Sequence, residues 1–308
     1  MSAVSESPAA RVARDATGLR QAEVRTPRWL RSLRGIYVIW YRDLIRYRRD
    51  RARLAASLAQ PLLFLVIFGV GLSSSLGSVG RGGTAALGGP AGSISYVQYI
   101  YPGVVGMAVL FTAMFSAMSI VWDREFGFLK EILVAPIDRS AVAVGKTLGG
   151  ATQAMFQGLI MLALGPAVGV HLTPLTVLEV IPILFLIAFV LTAFGVSIAA
   201  RMRSMQGFQV IMNFLLMPVF FLSGALFPVV GLPAWMTVLT RLDPVAYGIA
   251  PLRTAVLSTS GAPGAVTHQL ASVTWFGWAV PSLLALALLA ALGAVFLGFA
   301  VRSFRVRD

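Results

Sequence analysis

The chain has no cysteine, and histidine occurs only at His171 and His268. Disulfides and thiolate metal sites are thereby excluded, and two histidines this far apart give little basis for a metal centre. Charge is scarce as well. Asp, Glu, Lys and Arg together make up 12% of the residues, against about 25% in a soluble globular protein. No N-terminal apolar stretch precedes a small-residue cleavage site, so no removable signal peptide is expected. Ionisable groups within the apolar runs are nearly missing: only Glu179, an acid, and Lys146, a base, qualify, both near run ends. Proton relays of secondary transporters need carboxylates at mid-membrane depth. Ion-coupled transport therefore lacks its chemistry here, and energy has to arrive from outside the chain.

What is present is apolar surface. Hydrophobic residues account for 57% of the chain, and the mean hydropathy is +0.82. Residues 54–80, 82–122, 147–178, 180–200, 204–240 and 254–301 carry no charge. A membrane span needs roughly 20 mostly apolar residues, so each run can hold one. The expected fold is an all-α integral membrane protein with spans near 55–76, 97–121, 145–170, 176–200, 208–229 and 278–300. Residues 1–27, rich in Ser, Ala, Arg and Pro, are expected to be a disordered cytoplasmic tail.

The 28–54 segment has a different pattern. Trp29, Leu33, Ile36, Tyr37, Trp40, Tyr41 and Leu44 repeat at helical spacing, with Arg31, Arg34, Arg42, Arg46 and Arg49 opposite. Such an amphipathic helix lies in the membrane interface, and the arginines beside it favour an anionic leaflet. The net charge of +13 is therefore a membrane feature and not a nucleic-acid footprint. With the N-terminus in the cytoplasm, 22 of the 25 Lys and Arg fall inside, and only Arg81, Arg241 and Arg253 fall outside. The bias of basic residues toward the cytoplasmic side thus puts both termini of a six-span chain in the cytoplasm.

One segment between spans is unlike the rest. Residues 122–147 hold four acids and four bases, and Phe126, Leu129, Ile132 and Leu133 recur at helical spacing until Pro136 ends the pattern. A short one-sided helix there suits docking. Gly145-Lys146-Thr147 looks like the end of a phosphate-binding loop, but Ser140 stands where that motif requires glycine, and no strand precedes it. Lys146 is expected instead to snorkel to the cytoplasmic interface. Residues 230–277 carry Pro233, Pro244, Pro251 and Pro263 and are too broken for a span. Trp235, Val238, Leu239 and Leu242 still make one apolar side, which suggests a re-entrant helical hairpin on the outer face, covered by protein at membrane depth. Within the spans, Thr112, Ser116, Gln153, Gln157, Asn213 and Ser223 are the polar groups that line a path or bond across helices.

Three stretches resemble one family. They are RDLIRYRRDRARLAASLAQPLLFLVIFG from Arg42, WDREFGFLKEILVAPIDRSAVAVGK from Trp122, and FLSGALFPVVGLPAWMTVLTRLDPVAYGIAPLR from Phe221. Together they are similar to type-2 ATP-binding-cassette (ABC) permeases, which include daunorubicin-type drug exporters and exporters of polysaccharide or lipid. The family's first acid is often Glu and is Asp123 here; Phe126 stands where a smaller residue is common. The resemblance implies a permease subunit without bond chemistry or a bound cofactor, with ATP and magnesium held by a separate ATPase subunit. It implies a coupling loop over 122–140, with Asp123, Arg124, Glu125, Gly127 and Pro136 as docking residues and Phe126 and Leu129 as apolar contacts. It also implies two permease copies, identical or paralogous, in a cytoplasmic membrane. Spans two and five are the family's usual pathway helices, which favours Thr112, Ser116, Asn213 and Ser223 as pathway residues. A hydrophobic drug, antibiotic or lipid is the expected cargo, with polysaccharide or glycolipid the alternative.

Overall fold

A computed structural model describes residues 27–78, 95–127, 138–227, 229, 232–260, 273–275 and 278–306. The protein is all-α apart from one small hairpin, β1 (Thr274–Trp275) with β2 (Trp278–Ala279). The helices are α1 (Arg28–Arg49), α2 (Arg51–Ser78), α3 (Tyr96–Ser116), α4 (Met118–Glu125), α5 (Arg139–Ala163) and α6 (Pro174–Ala199). They continue with α7 (Met205–Leu222), α8 (Ala234–Leu242), α9 (Pro244–Leu257) and α10 (Ser282–Val306).

The centre of the molecule is α3, which packs on α2, α5, α6 and α9. Nearly every residue from Tyr99 to Met114 is buried. Small residues permit this crowding. A side chain at Gly103 would run into the Ala225 carbonyl oxygen, and one at Gly195 would press on the Met114 backbone. Close approach without bulky side chains is how membrane helices gain contact when burial from water contributes nothing.

Long helices occupy all six expected positions. By length and composition four of them suffice to cross a membrane: Tyr96–Glu125, Pro174–Ala199, Met205–Leu222 and Ser282–Phe304. Residues 29–49 and 54–69 qualify as a fifth if taken together, bent by 71°. The helix α5 falls short because Lys146, Gly149, Thr152, Gln153 and Gln157 dilute its apolar content. It also begins at Arg139, ahead of the apolar run that suggested Gly145, and gives way at Gly165-Pro166 to a 3-10 turn.

The amphipathic helix is α1, and it ends at Asp50, four residues before the expected boundary. Its buried stripe is Gly35, Ile39, Asp43 and Tyr47, spaced one turn apart, and this stripe packs along α5. Trp29, Leu33, Tyr37 and Tyr41 remain exposed, with the Tyr37 and Tyr41 rings stacked at 5.8 Å. The apolar face predicted from spacing is therefore split. One edge meets protein, and the aromatic edge is left free for the membrane interface.

Two short helices precede α10, in the stretch that is too broken by proline for a span. Asp243 caps α9 by accepting the Val245 amide, and α9 is buried among α3, α6 and α10. In contrast, α8 turns Trp235, Val238, Leu239 and Leu242 outward. Buried Arg253 of α9 donates to the carbonyls of Gly224 and Ala225 at 2.7 and 3.0 Å and stacks over the Tyr99 ring. Tyr96 donates to Leu226 in the same turn.

The Gly103–Ala225 approach should make Gly103→Ala costly, by about 1–3 kcal/mol as for other overpacked sites. Gly298 has open space around it, so Gly298→Ala should change stability by no more than about 0.5 kcal/mol. Thermal unfolding of the two variants in detergent checks the contrast.

Candidate functional site: a buried charge cluster behind the turn after α4

Three stretches far apart in sequence converge where α1, α4 and α5 meet. Lys146 of α5 is 3% exposed. Its Nζ lies 2.8 Å from Asp123 Oδ2 and 3.2 Å from Asp43 Oδ2, and donates to Ser119 Oγ at 3.2 Å. Arg42 adds a second cation, 3.2 Å from Asp123 and half-exposed at the rim. Two acids and two bases balance. Such balance is required, because an unpaired ion removed from water costs several kcal/mol.

The expected snorkelling of Lys146 is therefore overturned. Its ammonium turns into the protein because two carboxylates wait there, one from α1 and one from the end of α4. The glycines around it explain how α1 gets so close. A side chain at Gly145 would touch Ile39, and one at Gly149 would touch Asp43. The Gly-Lys-Thr string that resembled a phosphate-binding loop is a helix-packing seam. Along the same seam Trp40 donates to Thr152 at 3.0 Å, Tyr47 donates to Gln157 at 3.1 Å, and Gln153 donates to the Asp43 carbonyl.

The turn after α4 is braced by three successive side chains. Asp123 holds Lys146 and Arg42. Arg124 donates to the carbonyls of Ala200 and Met202, just beyond α6, at 3.0 and 2.8 Å. Glu125 accepts the Met205 amide at 3.0 Å. That amide is among the unsatisfied donors at the start of α7, where negative charge is favoured. Phe126 follows, 59% exposed, with its ring 5.3 Å from half-exposed Trp122. Gly127 has φ +82°, a left-handed conformation natural to glycine just past a helix end. A helix thus ends at Phe126, where spacing suggested one would begin. Leu129 and Pro136 lie outside the described residues. On the far side of that segment Ser32 of α1 donates to Asp138, so α1 ties down both flanks.

Of the four expected pathway residues, two come together. Thr112 and Ser116, one turn apart on α3, line a cavity of about 540 Å3 with Phe111 and Phe115. Asn213 sits on an exposed face of α7. Ser223 bonds to Phe220 and Ala225 at the end of its own helix, which is a capping arrangement. Glu179 lines a second cavity with Pro182, Thr254 and Ser282. Sequence reasoning missed Asp43. Its signal was available: it is the only acid within α1, set among seven arginines.

Removing one member of the cluster should be far worse than removing all three of its buried charges. Lys146→Met leaves two carboxylates buried beside a single rim arginine, at a cost of about 3–5 kcal/mol. Adding Asp43→Asn and Asp123→Asn to Lys146→Met should recover most of that loss, since replacing a whole buried ion network is often nearly neutral. Thermal unfolding temperatures of the single and triple variants measure the difference.

Comparison with known proteins gives one consistent picture. The model of the ABC-2 type transporter family matches residues 34–257, from α1 through α9. The chain is similar to a putative transport permease ycf38 from Cyanophora paradoxa, 26% identical over 71% of this chain and 72% of that one. It is 25% identical to nodulation protein J of Rhizobium leguminosarum bv. trifolii, over 71% and 80% of the two chains. The inner membrane transport permease YadH of Escherichia coli K12 is 24% identical, over 73% and 84%. A multi-pass helical membrane protein whose match runs through the braced turn and on to α9 belongs to the ABC-2 type transporter family.

Proposed function

We propose that this chain is the permease subunit of an ATP-driven exporter, with six spans and both termini in the cytoplasm. Two copies, identical or paralogous, work in a cytoplasmic membrane with two separate ATPase subunits, which bind the ATP and magnesium. The cargo is a hydrophobic drug, an antibiotic or a lipid-like molecule. The chain does no bond chemistry. Its task is to convert a push from below into helix movement.

The observation that carries this reading is the division of labour between residues 122 and 127. Phe126 and Trp122 offer an exposed aromatic knob beside the turn. Aromatic side chains of this kind dominate binding energies when they enter a partner's groove. Behind the knob, Asp123, Arg124 and Glu125 each grip a different element: α1 and α5, the end of α6, and the start of α7. Force on the knob reaches four helices without passing through flexible backbone. Docking residues in this reading divide into those that touch the ATPase (Phe126, with Leu129 and Pro136 beyond it) and those that transmit (Asp123, Arg124, Glu125). Gly127 supplies the turn that presents them.

Phe126→Ala should weaken ATPase binding about tenfold or more, as for an aromatic anchor, while the permease still inserts. Glu125→Ala should leave ATPase binding near normal and abolish export, because the load no longer reaches α7. Co-purification and export assays separate the two; normal export by both variants would sink the coupling assignment. A reporter fused after Asp308 should signal from the cytoplasm, and an external signal would refute six spans.

A further inference from the structure

The cavity beside the charge cluster has a chemistry of its own. It lies inside a single protomer, in the elbow where α1 bends into α2, and α3, α5 and α7 close it. Its volume of about 540 Å3 falls in the range that holds a drug-sized molecule. Phe111, Phe115, Pro61 and Trp122 provide flat apolar walls, and Met118 adds an adaptable one. Thr112 is buried, lines this cavity, and its hydroxyl oxygen has no hydrogen-bond partner. An orphaned buried hydroxyl costs about 1–3 kcal/mol unless something bonds to it. Gln60, Gln153 and Gln209 bring side-chain amides to the lining, and each such group can donate and accept.

The charges of the lining cancel. Asp43 faces the cavity but is already opposed by Lys146. The remaining ionic residues are Arg46 and Asp50, of opposite sign and one turn apart on the same helix. Arg46 and Asp50 stand exposed at the mouth, whereas Thr112, Ser116 and Gln153 are buried inside, so the interior offers no countercharge to a ligand with net charge. A molecule with no net charge, or with one charge of each sign, needs none.

We infer that this cavity is a binding site for an uncharged or zwitterionic amphiphile with a flat apolar body, hydrogen-bonded at Thr112. The inference rests on the export reading and names the chemical class of the cargo where the chain first holds it. Asp43, Ser119 and Trp122 belong to both the cavity wall and the braced cluster, so an occupant presses directly on the coupling machinery.

The test uses the full chain in lipid nanodiscs and three probes of similar size: neutral Nile red, cationic rhodamine 6G and anionic anilinonaphthalene sulfonate. Binding is the saturable fluorescence above that of empty nanodiscs. One Nile red per chain is expected, with both charged dyes at least tenfold weaker. Thr112→Val, which keeps the shape and removes the hydroxyl, should weaken Nile red about fivefold, the loss of a single hydrogen bond. Ala56→Trp, which fills the cavity from the α2 side, should abolish saturable binding in a chain that still elutes as a folded species. Equal affinity for a charged dye overturns the chemical class, and unchanged Nile red binding in both variants overturns the site. Competition by lysophosphatidylcholine identifies a lipid as the occupant; its absence identifies a soluble amphiphile. Dye binding needs no ATPase, so its failure leaves the coupling assignment standing, and loss of coupling in Phe126→Ala with intact dye binding does the reverse.

Discussion

An ammonium group between two carboxylates, out of reach of water, is the constraint on which the packing of α1, α4 and α5 depends. Lys146 cannot give up either partner without stranding a charge. Asp43 therefore fixes where α1 lies along α5, and Asp123 fixes where α4 stops. Ion pairs of this kind contribute little net stability compared with well-packed apolar residues. Their effect is geometric: they define one register of three helices and make neighbouring registers expensive. The glycines at 145 and 149 are the counterpart of that requirement, since the carboxylate of Asp43 reaches Lys146 only if the two backbones nearly touch.

The Asp-Arg-Glu string at 123–125 gains its meaning from the same geometry. Three adjacent residues on a helix end point in different directions, about 100° apart. Each therefore reaches a different neighbour. One is an ion pair, one a guanidinium on two carbonyls, one a carboxylate at a helix N-terminus. The chemistries differ because the targets differ. A single turn thereby holds elements that are otherwise separate, and the rings of Trp122 and Phe126 stand exposed beside it.

Much of this was legible in the sequence. Uncharged runs marked the spans, because lipid leaves little choice of composition, and α6 lies within two residues of its expected bounds. The break between α8 and α9 followed from Pro244, and the apolar side of α8 consists of the four residues that spacing picked out. Thr112 and Ser116 were singled out by the resemblance, which favours spans two and five, and one turn of helix brings both to the same cavity. What sequence spacing missed were the contacts between distant segments. Lys146 looked like an interfacial lysine because its partners stand 103 and 23 residues away. Ser223 looked like a pathway residue because nothing local reveals that it folds back on its own helix end. The face of α1 that carries Asp43 was hidden by a stronger aromatic signal from the neighbouring face.

The distance of 103 residues between Asp43 and Lys146 also has a consequence for biosynthesis. At about 5–20 residues per second, Lys146 is made roughly 5–20 s after Asp43. During that interval the first helix has no seam to lie on and an acid with no counter-ion. Its free edge of Trp29, Tyr37 and Tyr41 suits it to rest at the bilayer surface meanwhile, so the aromatic edge acts as a temporary mooring until α5 arrives.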